Sequence, residues 1–206
     1  PPATPPPPPP PPPPPHPPPR TAPGRARAGP PGVPIYSVNV DIFENLIGVN
    51  EVFQAITKKV GILSKEVAEE FGVSGPILRA SGVEFDLRKQ SNYLPYEKFD
   101  FDIPIGENGD SFDRWSVRTS EMRESAKIIL QAIDDMPSGP IQTKVPKVIK
   151  VPKGQTYVRA ENPKGEMGYY IISDGGLGPY RLKIRTASFS NISILPIMLE
   201  LSLIHI

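Results

Sequence analysis

The chain has 206 residues, with 30 prolines, 23 lysines and arginines against 22 aspartates and glutamates, and no cysteine. The missing cysteines exclude a disulfide scaffold, a thiolate metal site and a cysteine nucleophile within these residues. Twenty of the prolines and none of the acidic residues lie in residues 1–34, which leaves 20 basic and 22 acidic side chains in residues 35–206, a balance that gives no support for a nucleic-acid binding protein.

Residues 5–15 are an unbroken proline run. Such a run favours an extended polyproline II rod without internal hydrogen bonds, so residues 1–34 are expected to be a disordered, low-complexity leader. The leader is expected to be a spacer or a non-native addition; the other reading is a ligand for aromatic-lined adaptor grooves. It lacks the apolar segment of a secretory signal. Residues 41–54 place Phe43, Leu46, Ile47 and Phe53 near helical spacing, weakened by Gly48. Ser64 is expected to cap a short helix running to Phe71 and ended by Gly72.

Residues 100–105 alternate, with Phe99, Phe101, Ile103 and Ile105 on one side and Asp100 and Asp102 on the other, which predicts a half-buried edge strand ending near Pro104. The longest helix is expected over residues 111–136. Trp115, Met122, Ala126, Ile129, Ile133 and Met136 would form its apolar face, and the residues from Pro137 to Pro140 would stop it. Residues 141–153 alternate lysine, proline and β-branched side chains and predict an extended linker. Strands follow at 156–160, 165–173 and 180–186, the last two joined by a glycine-rich turn. No apolar run reaches the roughly 18 residues of a membrane span. Residues 35–200 are thus read as one domain or part of one, of the α+β class, helices with a small antiparallel sheet; residues 201–206, LSLIHI, resemble the translation of a transposase end sequence and are read as a non-native tail.

Chemistry-bearing motifs are scarce. There is no GxGxxG opening a helix after a strand and no GxxxxGK[ST] motif, so Gly75, Gly82, Gly106, Gly109, Gly175, Gly176 and Gly178 are assigned to positive-φ turns. The two histidines, His16 and His205, sit in the leader and the tail, which leaves the body's serines without a histidine base. Neither Asp41 with Glu44 nor Asp134 with Asp135 makes a metal site. The Asn191 sequon is read as chance.

What stands out is a set of arginines and carboxylates at loop and helix-start positions. Arg79, Asp86, Arg88, Asp110, Arg114, Arg118 and Glu121 are the candidates for structural pairing or a subunit interface, joined by Asp113, Arg123 and Glu124. A proton-coupled polar network is the functional alternative. Asp110 and Ser111 stand where the unpaired N–H groups of a helix start need acceptors.

The order LRxSGxxxDLRK from Leu78, then FDIPIGENGD from Phe101, then RTSEMRES from Arg118, and later DGGLGPYRLKIR from Asp174 resembles the large peripheral-arm, quinone-site subunit of respiratory complex I, the NADH:quinone oxidoreductase. The resemblance covers roughly residues 40–200 and implies a fragment of a longer protein. It implies a fold like the large subunit of nickel–iron hydrogenases. It also implies a part in passing electrons from NADH, through FMN and iron–sulfur clusters on other subunits, to quinone, coupled to proton translocation. The implied partner is the small subunit that carries the terminal cluster. The implied location is peripheral, on the cytoplasmic face of a bacterial plasma membrane or its organellar counterpart.

The family's quinone-contacting histidine and tyrosine have no counterpart among these residues. The fragment is therefore expected to be inactive alone, with no catalytic residue, bound cofactor or metal of its own. A membrane-bound nickel–iron hydrogenase large subunit and a proline-rich adaptor are the alternatives.

Overall fold

The computed structural model describes residues 32–91, 93–140 and 142–200; the proline run and the terminal six residues lie outside them. The first element, α1 (Gly32–Phe43), reaches into the last three residues assigned to the leader. Pro34 fits there because the first turn of a helix leaves its N–H groups unpaired in any case.

The helix expected over 41–54 is divided. α1 runs on into a π-helical turn, Glu44–Gly48, and a new helix, α2 (Glu51–Thr57), begins after Asn50, whose side chain accepts a hydrogen bond from the Phe53 N–H. Gly48 has a packing role: a Cβ there would come within 2.7 Å of the Trp115 ring. Phe43, Phe53, Phe112 and Trp115 form an aromatic cluster, with Phe53 edge-on to Trp115 at 5.3 Å between centroids.

Ser64 caps α3 (Lys65–Glu70) by accepting from the Val67 N–H, and Gly72 turns the chain at φ +63°. α4 (Pro76–Ala80) starts from Gly75, with proline in its first turn, and α5 (Leu87–Gln90) is capped by Asp86. A 3-10 turn at Leu94–Lys98 follows. The core gathers Leu63, Ala68, Val73, Leu78 and Ile194, with Ile77, Val83, Phe85 and Met198 packed against it.

Residues 100–105 are extended but pair with no strand. Their backbone groups are instead met by side chains of the long helix α6 (Ser111–Asp134). Gln131 accepts from the Asp100 N–H and donates to the Asp100 carbonyl, and Glu124 accepts from the Asp102 N–H. The alternation holds for Phe101, at 1 % exposure, and in part for Phe99 and Ile103, but Ile105 is 45 % exposed, and the ladder is replaced by helix side chains.

The buried stripe of α6 also differs from the expected one. Arg114, Val117, Thr119, Glu124 and Ala126 are buried, whereas Met122, Ile129 and Met136 are exposed. The reason is chemical: this face meets loops whose carbonyl and N–H groups need partners, and charged side chains supply them.

After an extended segment, β1 (Gly154–Asn162), β2 (Gly165–Ser173) and β3 (Arg181–Arg185) form an antiparallel sheet in the order β1-β2-β3. The register runs from Gly154 opposite Ser173 to Asn162 opposite Gly165. Two short helices, α7 (Ala187–Ile192) and α8 (Leu195–Leu199), follow. The buried Asn191 ties the halves together: it accepts from the Ser74 N–H and donates to the carbonyls of Ser74 and Lys164. A buried amide committed in this way is a strut, not a glycosylation acceptor. Among the described residues no helix is long and apolar enough to cross a membrane.

Of the glycines assigned to positive-φ turns, Gly75, Gly82, Gly109 and Gly175 have positive φ, whereas Gly106, Gly176 and Gly178 do not. Gly106 is required by close approach, since a Cβ there would lie 2.5 Å from the Ala80 carbonyl oxygen.

Candidate functional site

Four elements, α4, the start of α5, α6 and β1, converge on one guanidinium. Arg79, from α4, is 2 % exposed; its Nε donates to Glu121 of α6 at 2.6 Å and its Nη1 to Glu161 at the end of β1 at 3.1 Å. Nη1 also donates to the Phe85 carbonyl at 2.8 Å and lies 3.6 Å from Asp86. Asp86, in turn, holds Arg88 at 2.6 Å while capping α5 through the Arg88 N–H. Glu161 closes the ring of contacts: its second oxygen accepts from the Leu87 N–H, and its own N–H donates to the Tyr93 hydroxyl. The Arg88 guanidinium lies 4.9 Å above the Phe101 ring, which shields its other side.

This node floors a groove of about 480 Å³. Tyr36, Tyr96, Met122 and Pro163 supply apolar wall, while Arg88, Arg118, Glu121 and Glu161 supply charge. Three carboxylates share two guanidiniums in the node, and their proton affinities diverge. Burial raises the Asp86 carboxyl, but the hydrogen bonds and charge of Arg88, with Arg79 behind, outweigh it and hold the group below its ordinary value. For Glu161, burial dominates and the Asp86 charge adds to it, so Arg79 compensates only in part and the group is pushed up. Glu121 is raised in the same way, by burial first. The node can therefore accept a proton at a glutamate while Asp86 stays ionised. It contains no nucleophile and base pair. Among the described residues no group of three or more histidine, cysteine, aspartate or glutamate side chains is arranged to hold a metal.

The remaining candidates lie elsewhere on α6. Asp110 caps the helix, accepting from the Asp113 N–H with one oxygen and from the Lys59 N–H with the other. Arg114 donates to the Gly109 carbonyl and to Ser111 Oγ. It has no carboxylate partner among the described residues, and burial lowers its proton affinity. Arg118 reaches the groove and donates to the Arg114 carbonyl. The candidates thus form a node around Arg79, Asp86, Arg88 and Glu121, and a separate helix-start clamp of Asp110 and Arg114.

Sequence reasoning overlooked Glu161, although the strand period that puts Gln155, Tyr157 and Arg159 on one side of β1 carries on to it. It also overlooked the Arg123 link to Asp41 and Glu44, which joins α6 to the first helical segment.

The arrangement has relatives. The family described as the respiratory-chain NADH dehydrogenase 49 kDa subunit matches residues 33–150 and 144–205. Over 165 residues the chain is 52 % identical to a D-type subunit of the NADH-quinone oxidoreductase of Solibacter usitatus, covering 80 % of this chain and 45 % of that protein. It is 54 % identical over 151 residues to the corresponding NADH-quinone oxidoreductase subunit of Desulfitobacterium hafniense, covering 73 % and 41 %. Among solved structures, a chain of the membrane-bound sulfane sulfur reductase, an archaeal respiratory membrane complex, aligns with a TM-score of 0.74 at 36 % identity, covering 81 % of this chain and 47 % of that one. The chain spans a little under half the length of the curated relatives it matches. With nearly the whole described region matched, the chain belongs to the family of the 49 kDa subunit of respiratory-chain NADH dehydrogenase.

Proposed function

We propose that this chain is part of the quinone-site subunit of a proton-translocating NADH:quinone oxidoreductase, in which it acts as scaffold. Electrons pass from NADH through FMN and iron–sulfur clusters on other subunits to quinone. The residues described here hold the electron acceptor's chamber in shape without touching the reacting atoms. The fold is that of a nickel–iron hydrogenase large subunit, and the neighbour is the small subunit carrying the terminal cluster. The subunit lies at the cytoplasmic face of the membrane without spanning it.

The observation that carries this is the Arg79 node. It joins α4, α5, α6 and β1, elements up to 82 residues apart in sequence, into one rigid body through charge-assisted hydrogen bonds. Buried ion pairs contribute little net stability, but they define geometry. That suits a subunit whose task is to hold a redox site in register with its neighbours. Arg79, Asp86, Arg88 and Glu121 are the framework, Asp110 and Arg114 set the start of α6, and Arg118 stands at the groove.

The test is to tag the native full-length subunit in its source membrane and purify what accompanies it. An iron–sulfur subunit and NADH:quinone activity should co-purify, and Arg79→Ala should lower the yield of assembled complex more than the turnover of whatever assembles. A subunit that purifies alone, from membranes with full NADH:quinone activity, would defeat the proposal.

A further inference from the structure

Residues 144–153 read Lys-Val-Pro, Lys-Val-Ile, Lys-Val-Pro, Lys: a three-residue repeat that places Lys144, Lys147, Lys150 and Lys153 at constant intervals. Pro146 and Pro152 each remove a backbone donor, which bars the segment from a helix interior or a central strand. The structure accordingly leaves it without helix or strand, with a bend at Lys147 and Val148. In a rod of three residues per turn, lysines three apart share one edge at intervals of about 9 Å and the valines a second; the bend at Lys147 and Val148 divides the segment into two such stretches, and a further bend lies at Lys153.

Both edges are uncovered. The four lysines are exposed, and none takes part in an ion pair among the described residues. Val145, Val148, Ile149 and Val151 are 53 % to 65 % exposed. The charge pattern is equally local, since residues 137–160 hold five of the body's 20 basic side chains and none of its 22 acidic ones. The end of the segment is fixed: Ser173 Oγ, at the end of β2, donates to the Val151 carbonyl at 3.0 Å.

We propose that residues 144–153 form a strap that docks along an acidic surface of a neighbouring protein subunit, lysines on carboxylates and valines on apolar surface between them. The inference rests on the reading of the chain as a subunit of a larger assembly. A bilayer fits the segment less well. Interfacial segments are anchored by aromatic side chains, and residues 137–156 contain none. Branched aliphatic side chains at fixed spacing instead reward a surface of matching shape. A lysine ammonium is a compact point charge, suited to carboxylates met singly.

The experiment uses the intact assembly purified through the tagged native subunit. Carbodiimide joins lysine amines directly to carboxylates in contact with them, and mass spectrometry of the digested product maps the joined pairs. Two or more of Lys144, Lys147, Lys150 and Lys153 are expected to be joined to aspartates or glutamates of another subunit. Those products should be lost when all four are changed (Lys144→Gln, Lys147→Gln, Lys150→Gln and Lys153→Gln). That variant should still assemble, and the partner subunit should leave it at lower salt than it leaves the wild type, because the strap's attraction is screened within about 10 Å at 0.1 M salt.

Lysines joined only to carboxylates of their own chain, or acetylated as fast in the assembly as in the isolated chain, would overturn the strap while leaving the assembly standing. So would protection appearing only with phosphatidylglycerol vesicles and not with phosphatidylcholine, which would make the segment a lipid contact. If no assembly accompanies the tagged subunit, the underlying reading fails and the strap with it.

Discussion

Arg79 and Arg123 each hold carboxylates from distant parts of the chain, yet they stand in opposite surroundings. Arg79 is buried with Glu121, Glu161 and Asp86. Arg123 is 31 % exposed, and its partners Asp41 and Glu44 are 58 % and 39 % exposed. The same chemical pairing therefore does different work. In water's reach an ion pair is screened and adds little; in the interior, loss of one partner strands the others.

The largest effect should follow from breaking the buried member of this comparison. Arg79→Ala leaves the largely covered Glu121 and Glu161 without their cation and the buried Asp86 with Arg88 alone, and the expected loss is about 3–5 kcal/mol. It would be read as a shift of the urea midpoint of the 206-residue chain or as failure to fold. Arg79→Lys should recover only part, because an ammonium cannot reach Glu121 and Glu161 with the fork of a guanidinium. A loss below about 1 kcal/mol, in the range of a surface pair, would show that the node is not a single interdependent unit.

A second substitution tests the frame that brings α6 to the node. Gly109, at φ +66°, accepts from the Leu63 N–H and passes so close to the Leu63 carbonyl that a Cβ would collide with it. Gly109→Ala should cost about 1–3 kcal/mol from backbone strain alone. Gly72→Ala, also at positive φ but with open space around it, separates strain from collision and should cost less.

How much of this contrast was legible in the sequence depends on the range of the interaction. Caps were readable because Ser64 and Asp110 act three residues ahead on their own helices. The three strands were readable because their β-branched and aromatic residues and the glycine-rich turn between the last two are local signals. The arginine set was visible as a set, but not its division, because whether Arg114 meets a carboxylate or the Gly109 carbonyl is settled by tertiary placement. Residues 100–105 show the same limit. Their alternation picks out Phe101 as the inward residue but misplaces Ile105, and the sequence has no sign that Gln131 and Glu124, some 22 to 31 residues later, stand in for a neighbouring strand. Met122 and Ile129 looked like core by periodicity; the buried stripe is instead the one bearing Arg114 and Glu124, chosen by the polar loops it covers.

The third prediction separates the two kinds of carboxylate within the node. Glu161 has its folded-state proton affinity raised by burial, so its contribution to stability is complete below the ordinary glutamate value of 4.5 and is lost as pH climbs through the raised value. Asp86 is lowered, so its contribution is present above the ordinary 3.8 and is lost as pH falls through the lowered value. The stability of wild type relative to Glu161→Gln should therefore decline as pH rises from 4.5, whereas that of wild type relative to Asp86→Asn should decline as pH falls below 3.8. Parallel pH profiles for both variants, from urea midpoints across this range, would contradict the assignment.

The smallest effect belongs to the exposed pair. Arg123→Ala removes hydrogen bonds to Asp41 and Glu44, one of them at 2.7 Å, but water can take over both carboxylates, and the expected loss is about 0.2–1 kcal/mol. Two further measurements make the comparison informative. Raising the salt should erase most of the difference between wild type and Arg123→Ala, since a pair in contact with solvent is screened, while the cost of Arg79→Ala should hardly change. In a double-mutant cycle, Arg123→Ala with Glu44→Gln should show a coupling no larger than the single loss, because each partner left behind is solvated and not stranded. If instead Arg123→Ala costs as much as Arg79→Ala, the link between α1 and α6 is covered in the working protein, and the exposed flank of these helices is an interface.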